Sequence, residues 1–198
     1  MNLSYLGDAL DHWKGALFEF LVAEHLLLDL AVDPMATDET PWKHHDFKLF
    51  ARLLRVSDKQ VLRHRSTLSA RSTYFAEIAH EGDLFLDPDT GIDTGTGSPI
   101  KKYVKPREVA QLLYLSGLEQ RVVAIYQHIR AQETRARVDR CLDALAVTVQ
   151  HFGWCSYESG TVAMLFLSLD AKRTMGIARG FRDLLGAHAA NRIWASAR

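Results

Sequence analysis

The sequence predicts an α/β protein, a three-layer Rossmann-like sandwich whose mostly parallel sheet ends in a C-terminal antiparallel hairpin. Short apolar runs at residues 26–32, 84–86 and 121–126 are stopped by Pro, Gly or polar residues, as buried strands are. Helical patterns separate these runs, and such alternation is typical of a parallel sheet with helices on both faces. Two further apolar runs within 154–167 are joined by a turn at 159–160, which indicates a hairpin.

The composition fits one globular domain of 198 residues, of which 47% are hydrophobic. Lys plus Arg equals Asp plus Glu at 24 each, so nucleic acid or a membrane could be attracted only by a local patch. Cys141 and Cys155 have neither metal nor disulfide spacing, which is typical of a cytoplasmic protein. Early acidic residues do not suit a signal peptide, and the longest apolar run contains Asp29, so no membrane span is expected.

Residues 8–22 are predicted to form the first helix. Its core stripe recurs at helical spacing and consists of Leu10, Trp13, Leu17, Phe20 and Leu21. Asp8, Asp11 and Lys14 are spaced by three and share another part of the helix surface. These charges either form a solvated face, with Asp8 at the helix start, or belong to a functional site.

The segment 43–81 is predicted to be a helical, basic insertion within the single domain of residues 1–198. Apolar stripes indicate short amphipathic helices there, with Ser57 and either Ser69 or Ser72 as helix caps. Its basic side chains are Lys43, His44, His45, Lys48, Arg52, Arg55, Lys59, Arg63, His64, Arg65 and Arg71. Such a surface can contact the phosphates of nucleic acid, although basic helix faces are often only solvated.

Residues 90–105 are predicted to form a long loop rich in Gly, Thr and Ser that ends with Lys101, Lys102 and Lys105. Loops of this length inside a compact domain are usually functional or mobile. Backbone N–H groups freed by glycine, with lysines nearby, can bind phosphate. The segment is therefore predicted to be a mobile substrate loop, with plain disorder as the alternative.

Three further helices complete the predicted order, over residues 106–115, 134–150 and 170–184. Pro suits the first turn of the first of these helices, and Thr and Asp can cap the other two. The tail 185–198 is predicted to be helix or frayed chain.

Polar side chains follow the ends of the predicted strands. Asp33 follows the first strand, Asp87 the second and Gln127 the third. Because ligands bind beyond the carboxyl ends of parallel strands, these residues are predicted to meet at one rim. Further polar residues after the same strands are Asp38, Asp89, His128 and Arg130. Acids beside Pro and Gly are also ordinary turn residues, which is the alternative.

The predicted sheet resembles that of the S-adenosylmethionine-dependent methyltransferases, which ends in a similar hairpin. Asp87-Pro88 resembles the Asp/Asn-Pro-Pro-aromatic motif of the adenine-N6 methyltransferases. Gly7-Asp8-Ala-Leu-Asp11-His-Trp-Lys14-Gly15 is similar to the Gly-Asn-x-x-Asp-x-x-Lys-His pattern of the large-subunit rRNA adenine-N6 methyltransferases. Asp33-Pro-Met-Ala36 stands where that family has an Asp-x-x-Ala-Gly cofactor loop. The combination of the Gly-Asp-x-x-Asp-x-x-Lys helix with Asp-Pro-Asp-Thr-Gly-Ile and Tyr-Gln-His-x-Arg also resembles a group of uncharacterised bacterial proteins.

Two positions depart from the family patterns. No glycine follows Ala36, so the tight cofactor loop is not encoded in its usual form. Asp89-Thr90 replaces the second Pro and the aromatic residue that would stack on a flipped base.

The resemblance implies a methyltransferase-like enzyme that acts on nucleic acid and uses S-adenosylmethionine. In this hypothesis the catalytic residues are Asp87, Asp89, His128 and Lys14. The cofactor side is formed by Asp33, Asp38, Asp8 and Asp11. The substrate and its phosphates are held by Lys101, Lys102, Gln127 and Arg130.

Two other hypotheses remain open at this point. Carboxylate oxygens are good ligands for Mg²⁺ or Mn²⁺, which would suit a metal-dependent phosphodiesterase or nuclease. The candidate metal ligands are Asp8, Asp11, Asp33, Asp87 and Asp89. The third hypothesis is a non-catalytic binding module on a degenerate enzyme fold.

Overall fold

A computed structural model of the chain describes residues 1–38, 41–78, 82–95, 100–115, 117–118, 120–129 and 133–197. The strands are β1 (Ala31–Asp33), β2 (Leu84–Leu86), β3 (Gly91–Ile92), β4 (Tyr103–Val104), β5 (Val123–His128), β6 (Gly153–Ser159), β7 (Val162–Ser168) and β8 (Ile193–Ala197). The α-helices are α1 (Ala9–Ala23), α2 (His44–Leu53), α3 (Arg71–Ala76), α4 (Pro106–Leu113), α5 (Thr134–Ala146) and α6 (Ala171–Leu185). None of these helices is long and apolar enough to cross a membrane.

Six strands form one mixed sheet in the order β1-β2-β5-β7-β6-β8. The strands β1, β2 and β5 pair in parallel, and β7 runs antiparallel between β5 and β6. The edge strand β8 is antiparallel to β6, so β1, β2, β5 and β6 share one direction and β7 and β8 the other. The predicted α/β class, the mostly parallel strand direction and the antiparallel hairpin are therefore confirmed.

Helices cover both faces of this sheet. Because successive strand residues point to opposite sides, neighbouring residues of one strand pack in two different cores. Leu84 and Leu86 belong to a core that contains apolar residues of α3, α4 and α5. Phe85 belongs to a second core, which contains Phe18 of α1 and Ile177 of α6. Except for the edge strand β8, the strands of this sheet are buried on both faces, as expected for strands sandwiched between two helical layers.

The segment 43–81 is less helical than predicted. Among its described residues, 43–78, only α2 and α3 are α-helices, and short 3-10 turns at Asp58–Gln60 and Leu68–Ala70 lie between them. Val61 instead forms a parallel bridge to Val32 of β1. Local amphipathic spacing could not reveal this pairing, because the bridge depends on a strand far away in the sequence.

The tail, the start of the first strand and the loop 90–105 also differ from the prediction. The tail forms β8, where Ile193 is buried against β6 and Trp194 is 39% exposed, so its order comes from pairing at the sheet edge. The first strand begins at 31 rather than 26, because Asp29 has a positive φ of 46° and interrupts the apolar run. The predicted loop 90–105 contains the short parallel pair β3 and β4, while residues 96–99 lie outside the described residues.

The chain reverses its direction of travel across the sheet beside β1. From β1 it passes through α2, whose Phe50 packs in the core of α1 and α6, to Val61 on one side of β1. It then returns through α3, whose Phe75 packs in the opposite core, to β2 on the other side. Such a point of reversal opens a crevice beyond the carboxyl end of the strand, where α/β proteins bind ligands.

Both cysteines are expected to be unreactive in the folded protein. Cys141 on α5 and Cys155 on β6 are buried, and burial raises the pKa values of their thiols to about 11 and about 12. Because the thiolate is the reactive form, a disulfide reagent at pH 8 should modify neither thiol in native buffer and both in guanidinium. Rapid modification of either thiol in the native protein would contradict this burial.

Candidate functional site

Lys14 lies at the centre of a buried ionic network that joins α1 to the end of β2. Its ammonium donates to Asp11 Oδ1 at 2.9 Å and to the two carboxylate oxygens of Asp87 at 2.7 and 3.0 Å. The exposed fractions are 3% for Lys14, 0% for Asp11 and 2% for Asp87. Asp11 and Lys14 are therefore not a solvated helix face.

Hydrogen bonds at the start of α1 hold this network in position. Asp8 is the N-cap, and its Oδ1 accepts from the N–H groups of Leu10 at 2.8 Å and Asp11 at 3.2 Å. Asp11 Oδ2 accepts from the N–H of Gly7 at 2.8 Å, which turns its other oxygen toward Lys14 one turn later. The helix start predicted for Asp8 is confirmed.

The opposite charges of Lys14 and Asp87 offset part of the cost of burying them. Burial alone would lower the pKa of Lys14, but Asp87 and Asp11 outweigh it and hold that pKa above the ordinary value. Burial raises the pKa of Asp87, against the opposite effect of Lys14. The ammonium also lies 4.6 Å from the ring centroid of Tyr126, a favourable cation–π distance.

Asp89 connects the turn after β2 to the turn after β1. Its Oδ1 lies 3.2 Å from the α-amino group of Met1, and its Oδ2 accepts from the hydroxyl of Thr37 at 2.7 Å. The same amino group donates to the carbonyl oxygens of Pro34 at 2.8 Å and Met35 at 2.7 Å. The two turns are thus held together by polar contacts at the rim.

Asp33 is completely buried and organises the other side of the rim. Its Oδ1 accepts from the N–H of Met35 at 2.8 Å and from the hydroxyl of Tyr74 at 2.6 Å. Its Oδ2 lies 3.0 Å from Nε2 of His64, whose ring centroid is 3.9 Å from that of Tyr74. Asp33 therefore acts by positioning His64 and Tyr74 and has no face toward solvent.

A crevice of about 320 Å³ opens beside this cluster, between the segments that leave β1 and Val61. We call it the switch-point crevice. Its walls include the aromatic side chains of Trp42, Phe47, His64 and Tyr74. Asp38 also lines it and accepts from the indole N–H of Trp42 at 2.9 Å. This is the crevice that the reversal of strand order predicts.

A second cavity of about 170 Å³, the Lys14–Asp87 cavity, lies on the other side of the Asp-Pro turns. It brings together predicted site residues from α1 and its N-cap, from the turn after β2, from the 3-10 turn before β4 and from β5. These are Asp8, Asp11, Lys14, Asp87, Asp89, Lys102 and His128. The four residues predicted as catalytic therefore share one cavity.

The predicted cofactor set, in contrast, is divided. Asp33 and Asp38 lie at the switch-point crevice, whereas Asp8 and Asp11 line the Lys14–Asp87 cavity. The structure therefore does not bring all four residues to one cavity. The physical reason is that α1 packs over the end of β2 and β5, where Lys14 meets Asp87, and not over the end of β1.

The substrate-side predictions are met only in part. Gln127 lies within β5 and not after it, and its buried amide accepts from the N–H of Ile92 at 2.9 Å and donates to the carbonyl of Thr90 at 3.0 Å. It therefore braces β3 against β5. Lys102 lines the Lys14–Asp87 cavity, whereas Lys101 does not line it. Arg130 lies outside the described residues.

The predicted metal ligands are not gathered into one centre. Asp11 and Asp87 are bound to Lys14, and Asp33 is bound to His64 and Tyr74. In the described part of the chain, no three His, Cys, Asp or Glu side chains are grouped as a metal site would need. The ammonium of Lys14 therefore lies between Asp11 and Asp87, where the phosphodiesterase or nuclease hypothesis expects a metal ion.

Sequence reasoning missed the residues that build the switch-point crevice. His64 was included in a basic surface, but its side chain is only 8% exposed and is bonded to Asp33. Tyr74 lies in the segment predicted to be a helical insertion, and Trp42 lies just before that segment. One local signal points to this crevice: a histidine and aromatic residues lie close to polar residues, in a segment where the helical pattern of apolar residues is weak.

Comparison with known proteins adds little to this geometry. No family model matches the sequence, and no curated protein matches it. A solved structure of a protein from Legionella pneumophila str. Philadelphia 1, described by the family model DUF519, is similar with 10% sequence identity and a TM-score of 0.41. The match covers 78% of this chain and 57% of that one, so this chain spans less than two thirds of its neighbour. A likeness this distant carries no argument about function.

Proposed function

We propose that the protein is a methyltransferase-like enzyme that acts on nucleic acid and uses S-adenosylmethionine. The observation that supports it most is a pair of Asp-Pro turns, side by side at the ends of β1 and β2. The N–H of Asp87 donates to the carbonyl of Asp33 at 3.0 Å, so the two turns are in direct contact. The switch-point crevice lies beside the first turn and the Lys14–Asp87 cavity beside the second.

The switch-point crevice suits the adenosyl part of the cofactor. Its volume reaches the lower end of the usual range for small-molecule sites, and its walls are aromatic and apolar with a few polar groups. The tight turn that enters it is made without glycine, because Met35 adopts a positive φ of 44°. Strain of this kind persists where the surroundings enforce it, and it is concentrated at functional sites.

The Lys14–Asp87 cavity suits the acceptor. An ionised carboxylate has about four acceptor positions, and Lys14 uses one on each oxygen of Asp87, so further positions remain for an amino group. Lys14 holds the carboxylate in place, and His128 and Lys102 supply polar groups at the same cavity. S-adenosylmethionine would supply the methyl group, while this chain would orient the amine and exclude water.

Calorimetry with S-adenosylhomocysteine tests the cofactor side. We expect binding to the wild type and a loss of about tenfold or more in Asp33→Asn, because the walls formed by His64 and Tyr74 lose their anchor. Asp170→Asn, the same change at the N-cap of α6, should bind like the wild type. Absence of any heat at millimolar ligand, with all proteins folded, would end the proposal.

Transfer of a labelled methyl group to total RNA or DNA tests the acceptor side. Asp87→Asn should keep the cofactor but lose transfer, since Asp87 lies on the other cavity. Cofactor binding without transfer to either nucleic acid by the wild type would favour the non-catalytic binding module instead.

A further inference from the structure

The loop after Val61 forms a small concave cluster of hydrogen-bond donors. The backbone N–H groups of Arg65 and Ser66 and the hydroxyl of Ser66 all point at one place. Nδ1 of His64 faces the same place. Successive backbone N–H groups arranged in this way are a common anion-binding device in proteins. We call this cluster the 64–66 nest.

The nest already holds an anion of the protein itself. Glu77, which follows α3, accepts from the N–H of Arg65 at 2.9 Å, from the N–H of Ser66 at 3.3 Å and from the Ser66 hydroxyl at 2.5 Å. Its Oε2 lies 3.8 Å from Nδ1 of His64. These donors, with the Ser66 hydroxyl first, lower the pKa of Glu77, so the carboxylate is ionised at neutral pH.

The surroundings of the nest favour a larger anion than this carboxylate. His64, Arg65 and Ser66 all line the switch-point crevice, so the nest opens on a space that a ligand can enter. Residues 43–65 carry seven Lys or Arg against two Asp, in a chain whose net charge is zero. Arg65 itself is exposed and makes no side-chain ion pair with any described residue. Two of these cations, Arg63 and Arg65, line the crevice itself, which favours an anion beside the nest.

We propose that the 64–66 nest is a phosphate-binding site of the switch-point crevice, which Glu77 occupies in the absence of ligand. A phosphate has more acceptor oxygens and more charge than a carboxylate, so it can use the same donors and Arg65 as well. The phosphate comes from a free nucleotide or from the nucleotides of a nucleic acid. This site goes beyond the proposed function and is tested without S-adenosylmethionine or S-adenosylhomocysteine.

The test is to measure phosphate binding after the resident anion is neutralised. In Glu77→Gln we expect ADP and inorganic phosphate to bind about tenfold more tightly than in the wild type by calorimetry. That gain corresponds to a nest that Glu77 fills about nine-tenths of the time. Adenosine, which lacks phosphate, should bind equally to both proteins. Equal affinity of both proteins for ADP would overturn the proposal.

Two control variants separate the nest from general electrostatics. Glu24→Gln removes the same charge at an exposed position at the end of α1 and should leave ADP binding unchanged. Ser66→Ala in the Glu77→Gln background should remove most of the gain, because it deletes one donor of the nest. A gain of the same size in Glu24→Gln would also overturn the proposal. If Glu77→Gln does not fold, Glu77→Asp withdraws the carboxylate by one methylene and should give a smaller gain.

Oligonucleotides then identify the source of the phosphate. A short single strand without terminal phosphate that gains affinity in Glu77→Gln would assign the nest to the nucleic-acid backbone. A gain seen only with ADP and with a 5′-phosphorylated strand would assign it to phosphate monoesters.

Discussion

Replacing Lys14 by Met should lower the free energy of unfolding by about 3–5 kcal/mol at pH 7, as expected when one partner of a buried ion pair is removed. Met has a similar length and fills the space, so the loss is electrostatic. Asp11 and Asp87 would remain buried without the ammonium that bonds both of them. Urea denaturation followed by circular dichroism measures the change.

The pH dependence of this loss has a definite sign. Burial already raises the pKa of Asp87 in the folded protein, and removal of Lys14 raises it further. A carboxyl whose folded pKa exceeds its unfolded pKa of about 3.9 binds its proton more tightly in the folded state. The destabilisation that comes from burying the ionised carboxylate is therefore complete at neutral pH. It disappears as the pH falls through the folded pKa toward the unfolded pKa. The stability difference between the variant and the wild type should narrow between pH 7 and pH 4.

Lys172→Met is the matched control, because Lys172 is exposed in the first turn of α6. Surface substitutions of this kind usually change stability by less than about 0.5 kcal/mol. A Lys14→Met protein as stable at pH 7 as the Lys172→Met protein would show that the network does not hold α1 on the sheet.

Replacing Gly15 by Ala should destabilise the protein by about 1–3 kcal/mol, the usual cost of overpacking. Helix propensity alone predicts the opposite, since Ala is better than Gly inside a helix by about 1 kcal/mol. The tertiary structure decides the sign, because a Cβ on Gly15 would lie 2.0 Å from the carbonyl oxygen of Leu53. That oxygen belongs to the backbone at the end of α2, so it cannot rotate away.

Gly176→Ala provides the comparison for this prediction. Gly176 also lies inside a helix, α6, but a Cβ there would have only ordinary contact with Leu26, at 3.9 Å. We expect this variant to gain up to about 1 kcal/mol in thermal or urea unfolding. A change of stability in the same direction in both alanine variants would contradict the close packing of α1 against α2.

The secondary structure was predictable where local pattern and tertiary context agree. The strand at Leu84–Leu86 and the hairpin of β6 and β7 were found because apolar runs bounded by Pro, Gly or a tight turn report burial directly. The strand β8 was not predicted, because an edge strand has one buried residue among exposed ones and takes its conformation from β6.

The sequence predicted that these polar residues lie at one rim of the sheet, but not which of them bond to each other. Strand ends in the sequence brought Asp87, Asp89 and His128 to one place, and helical spacing put Lys14 and Asp11 on one face. Spacing could not tell that this face is buried, since a charged face is usually solvated and only the opposing carboxylate of Asp87 makes its burial stable.

By itself, the sequence determined the α/β class, the parallel strands with their terminal hairpin, and the concentration of carboxylates at the strand ends. These features depend on short-range periodicity and on turn residues, which act over a few positions. Only the tertiary structure decided that Val61 pairs with β1, and that His64 and Tyr74 therefore meet Asp33 at a crevice. Contacts between distant segments depend on how helices close over both faces of a sheet, and no local pattern contains that information.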